Sequence, residues 1–87
     1  MDRQQLQRHV DELRQELDRL PADAPGRERL QQLVARIDAQ LDEHHPSEPQ
    51  ESFQQGMQEA VTEFEADHPR AAALLRRFVD TLSSMGI

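Results

Sequence analysis

His44 and His45, flanked by Asp42, Glu43 and Glu48, are the residues whose types and spacing come nearest to metal chemistry. Adjacent histidines on a helix point in different directions, and zinc needs three or four donors that converge. The cluster therefore reads as a solvated helix end ahead of Pro46 and Pro49, where a protonated imidazole complements the negative end of the helix dipole. His9 is expected on the surface of the first helix, and His68 beside Pro69 reads as a junction residue that helps start a helix. No activated nucleophile stands out. Cys is absent, the few Ser cluster in a linker and at the C-terminus, and no Gly-rich loop follows a strand. Carboxylates are abundant but fall on faces expected to be wet. These residue types predict no enzyme, no cofactor and no bound metal.

The charge pattern narrows the partners. Seventeen acidic residues oppose ten basic ones, all Arg, for a net charge of −7. No Arg lies between Arg36 and Arg70, and the nine carboxylates in that gap make the middle of the chain strongly negative. Phosphate backbones are repelled there, and without Trp or Tyr there is little to stack on a base, so nucleic acid is not an expected partner. No apolar run approaches the roughly 20 residues of a membrane span. Met1 leads directly into Asp-Arg-Gln-Gln rather than an apolar signal core, which makes the cytoplasm the expected location. Arg70, Arg76 and Arg77 beside an apolar stripe leave peripheral membrane binding by the fourth helix as one alternative. Metal binding at the His44–His45 linker is the other.

The elements that must carry these residues are helices. Leu6, Val10, Leu13, Leu17 and Leu20 recur at alternating spacings of four and three, a heptad stripe over a first helix from about Arg3 to Leu20, capped by Asp2 with Gln5. Arg8 with Glu12 and Arg14 with Asp18 are expected as exposed pairs along this helix. Pro21 ends it, and Asp23 or Ala24 caps a second helix over about 25–43, with Pro25 in its first turn. That helix repeats the stripe with Leu30, Val34, Ile37 and Leu41, widened by Leu33, so residues 1–43 read as an antiparallel helical hairpin.

Residues 44–50 form the linker to a second pair of helices in 51–87, with Ser47 and Gln50 placed for a capping box. The third helix carries Phe53, Met57, Ala60, Val61 and Phe64 on one face. Gly56 inside it costs about 1 kcal/mol against Ala, and either admits another helix backbone or is simply tolerated. The fourth helix starts near His68, with Pro69 in its first turn, and carries Leu74, Leu75, Phe78, Val79, Leu82 and Met85. The fold class is all-α: two helical hairpins, about four helices, in a coiled-coil-like or small bundle arrangement within one domain. The core looks thin for 87 residues without a disulfide, so self-association is expected, a homodimer above all, through the leading stripes or exchanged trailing helices. The function class is a non-enzymatic scaffold or interaction module.

At the C-terminus, Gly86 is placed to end the last helix in a left-handed conformation, bringing Ile87 onto Leu82 as a hydrophobic latch. A free apolar end offered to a partner's groove is the rival reading. Phe64-Glu65, His68-Pro69, Leu82 and the closing Met85-Gly86-Ile87 are similar to the C-terminal signature of a family of short bacterial proteins, domain-of-unknown-function family 4404. Glu12-Leu13-Arg-Gln-Glu16-Leu17 and Arg29-Leu30-Gln-Gln-Leu33-Val34-Ala-Arg-Ile37 resemble its N-terminal half, so the resemblance spans nearly the whole chain. It implies no activity, cofactor or catalytic residue. If the latch forms, deleting Met85 to Ile87 lowers the melting temperature. Unchanged stability with a lost binding partner identifies the groove-seeking end instead.

Overall fold

Pro21, Pro49 and Pro69 stand at the boundaries of four helices in the computed structural model, which describes residues 2–41 and 48–84. These are α1 (Asp2–Arg19), α2 (Arg27–Gln40), α3 (Gln50–Phe64) and α4 (Pro69–Ser84). α1 packs against both α2 and α4, and α3 packs against α4. Cross-helix contacts set the directions. Between α1 and α4 Glu16 meets Arg70 and His9 meets Thr81, between α3 and α4 Glu65 meets Arg76 and Gln54 meets Ser83, and between α2 and α3 Arg29 meets Glu63 while Arg36 lies over Gly56, so along each seam one residue number rises as the other falls. Every neighbouring pair is therefore antiparallel, and the chain runs up, down, up and down around a closed four-helix bundle, the arrangement that short connections favour.

The stripes read from the sequence line its core. Leu6, Val10, Leu13, Leu30, Leu33 and Ile37 are at most 1% exposed, and Val34 is buried with them. Leu17, Leu20 and Leu41 are only partly buried, packed on the edge of the core. From the second hairpin come Phe53, Met57, Ala60, Val61 and Phe64 on α3 and Ala71, Leu74, Leu75, Phe78, Val79 and Leu82 on α4. Phe53 and Phe78 meet edge to face with centroids 6.0 Å apart, the orientation that aromatic quadrupoles favour. The leading stripes are thus covered by the chain's own second hairpin. The accessible surface of 5542 Å² is near the roughly 5,300 Å² expected of a folded monomer of this mass. The radius of gyration of 12.3 Å likewise sits beside about 12 Å for a compact domain of this length. One chain suffices to keep the core dry.

The junctions differ in detail from the sequence reading. α2 starts at Arg27 rather than near Pro25, because Gly26 adopts φ 84°, a left-handed conformation that cannot belong to a helix. Ala24 instead closes a turn onto the Pro21 carbonyl, and the first helical bond runs from the Leu30 amide to the Gly26 carbonyl. Neither Asp23 nor Ala24 caps α2. Pro49 precedes α3 with no side-chain cap, and the box expected at Ser47 falls outside the described residues. The break before α4 is a full reversal rather than a kink. The His68 amide closes onto the Phe64 carbonyl, and the His68 carbonyl accepts the first α4 bond from Ala72. Pro69 is the first helical residue, where its missing N–H costs nothing. Gly86 and Ile87 of the proposed latch lie outside the described residues, while their partner Leu82 is buried.

Two substitutions probe this packing. Leu13→Ala removes a fully buried side chain and is expected to cost about 2–5 kcal/mol in chemical denaturation. Gly26→Ala is expected to cost about 1–2 kcal/mol from its left-handed φ alone. Its added methyl would also press on Phe64 and His68 at 3.1–3.2 Å.

Candidate functional site

Arginine and carboxylate side chains, long enough to reach across a groove, clasp every seam of the bundle. Between α1 and α2 Arg14 pairs with Asp38. Between α1 and α4 Arg70 reaches Glu16 at 3.2 Å and Arg77 approaches Glu12 at 3.9 Å. Arg29 grips Glu63 through both Nε and Nη2, and Arg76 reaches Glu65 at 3.1 Å. Arg14 thus bridges Asp38 of α2 and Asp11 of its own helix, the latter at 3.7 Å, and Glu12 approaches Arg77 of α4, in place of the expected partners Asp18 and Arg8. Exposed pairs of this kind contribute at most about 1 kcal/mol each, but their positions favour one neighbour for each helix.

α2 is tied to the second hairpin at both ends by polar groups. At its C-terminal end the Gln40 side chain, only 9% exposed, donates to the Glu48 carbonyl at 2.7 Å and accepts from the Glu48 amide at 3.1 Å. The Arg36 guanidinium holds the Glu48 carboxylate with two bonds of 2.5 and 2.6 Å. Arg36 lies over Gly56 of α3, where a Cβ would come within 2.7 Å of its Nη1. The glycine thus makes room for a guanidinium, not for another helix backbone. At the N-terminal end the His68 imidazole, resting against Phe64, donates from Nε2 to the Pro25 carbonyl. A carbonyl can only accept, so Nε2 carries the proton.

These bonds shift charge equilibria in one direction. Hydrogen bonds from Arg36 and Arg29 hold the Glu48 and Glu63 carboxyls below the ordinary glutamate value, and the two guanidiniums rise in turn. His9, expected at the surface, is half-buried, with Nε2 on the Thr81 hydroxyl at 3.1 Å and Nδ1 buried without a hydrogen-bond partner. His44 and His45 lie outside the described residues. Among the described residues no three His, Cys, Asp or Glu are grouped to hold a metal, and no helix is long and apolar enough to cross a membrane. The apolar stripe of α4, needed for the membrane alternative, is spent on the core.

An open, shallow concavity marks the outer surface of the bundle. It runs along the outside of α4 over Pro69, Ala72, Ala73, Arg76 and Asp80, with Glu65 at its edge. A second depression continues between α3 and α4 over Val61 and Val79. Neither gathers catalytic groups in a desolvated cleft.

The clasps make two measurable claims. Gln40→Ala is expected to lose about 1–3 kcal/mol, because it leaves two backbone groups of Glu48 without their partner. Glu48 and Glu63, with lowered values, stabilise the fold fully above the unfolded carboxylate value of about 4.3, and that contribution fades as pH falls through their folded values. Melting temperature is therefore expected to drop below about pH 4. Glu48→Gln should shallow that drop while costing about 1–3 kcal/mol at neutrality, because the pair it breaks is part-buried and doubly bonded.

Neither a curated protein nor a solved structure matches the chain. A family model described as "Domain of unknown function (DUF4404)" matches residues 6–87, from the first buried leucine through the fourth helix to the end of the chain. The chain belongs to that family.

Proposed function

We propose that this chain is a non-enzymatic helical interaction module that works through the outside of its bundle, with a second copy of itself as partner. One observation carries the reading: the apolar stripes of all four helices face inward, while α4 keeps an open concavity flanked by both charges on its outer side. The arginines and carboxylates that could otherwise serve chemistry act as fasteners across the seams, where the arginines remain exposed. Pairing through the leading stripes would require opening the core, so the partner meets the closed bundle instead. A scaffold of this kind needs only a stable shape and an outer face. Sedimentation equilibrium of the intact chain tests it. The average mass is expected to rise above 10.1 kDa as concentration increases. A mass that stays at the single-chain value throughout removes the self-association reading.

A further inference from the structure

Four residues on the outside of α4, Ala73, Arg77, Asp80 and Ser84, are all exposed and recur at spacings of four, three and four. That spacing places them on one line, opposite the side that carries Leu75 and Phe78 into the core. Read in either direction, the line runs small, charged, charged, small, and the two charges are opposite. We infer that this line is a self-complementary seam on which α4 of a second copy lies antiparallel. The inference rests on the self-association reading above and says where the two copies meet.

Arg77 and Asp80 lie about 4.5 Å apart along the helix axis. A two-fold axis midway between them sets Arg77 opposite Asp80 of the other copy, and Asp80 opposite its Arg77, as an isologous interface requires. The same operation sets Ala73 opposite Ser84 at both ends, where small side chains let two helices approach closely. The concavity over Ala72 and Ala73 lies on this face. Both charged groups are available. Arg77 is 66% exposed and only 3.9 Å from Glu12, a loose contact, and among the described residues Asp80 is in no ion pair.

Charge also argues for a second copy as the occupant. The Arg77–Asp80 pair adds nothing to the net charge, so the whole −7 is carried by the rest of the molecule. Two copies repel on average, and a face that presents one charge of each sign in matched order relieves that repulsion. α4 is about 24 Å long. One helix face of that length buries less than the roughly 800 Å² per partner of a standard interface. The dimer is accordingly weak and salt-sensitive.

A dilution series of the isotope-labelled intact chain, followed by amide chemical shifts from tens of micromolar to about one millimolar, tests this. Signals of Ala73, Arg77, Asp80 and Ser84 are expected to move with concentration, and less so at high salt. Arg77→Asp and Asp80→Arg, each placing two like charges at the seam, should weaken association at least about tenfold. The double variant restores opposite charges across the axis and should recover it. Arg77→Asp also removes the contact with Glu12, so Asp80→Arg, which breaks no ion pair among the described residues, carries the test if the first variant is poorly folded. Concentration-dependent shifts confined to other faces, or single variants that associate like the parent, overturn the seam but leave self-association standing. No concentration dependence at all overturns both.

Discussion

Leu6, Val10 and Leu13 stay dry because α4, from the far end of the chain, lies along α1. This contact between the first and last helices closes the ring of four. Without it the α1–α2 hairpin would expose one side of its stripe, and the α3–α4 pair would expose Leu74 and its neighbours. Burial of apolar surface is non-directional, so it explains why the hairpins combine but not which way round they do so.

The direction comes from the seams. Arg70 and Arg77 of α4 face Glu16 and Glu12 of α1, while Arg29 of α2 faces Glu63 of α3. A rearranged bundle would set some of these groups against like charges, or leave them unmatched. Each pair is energetically small, yet together they separate the observed arrangement from its near relatives with the same greasy interior. The clasp of Gln40 on the Glu48 backbone adds a hydrogen-bond lock, because both groups would otherwise be buried or half-buried without partners.

The helices and their inward faces were legible in the sequence because apolar periodicity records burial directly. Leu6, Leu13, Leu30, Phe53, Met57, Phe78 and Leu82 are buried where their spacing places them, while Leu17, Leu20 and Leu41 reach only the edge of the core. The polar framework was not. Arg14 touches Asp11 on its own helix, and only the rotation of α2 decides that Asp38 shares it. Gln40 belongs to no motif, and its burial depends on where residue 48 returns after the linker. His9 looked like surface because no local pattern announces Thr81 from the other end of the chain. Gly26 was hidden behind Pro25, which offered a plausible but earlier helix start. The outer line on α4 could have been found, since its spacing is a heptad. It carries no large apolar residue, and polar heptads draw little notice beside the leucine stripes.

Gly56 leaves a consequence for how this sequence can diverge. Its missing side chain is filled by the guanidinium of Arg36, so volume at one site is exchanged for reach at the other. A relative that gains a methyl at the glycine position must shift the guanidinium, which disturbs its two bonds to Glu48. One that shortens the arginine frees the helix to take Ala there and regain about 1 kcal/mol of helical preference. The two positions should therefore drift together through evolution, as a bulky–empty pair or a short–filled one, and mixed combinations should be scarce.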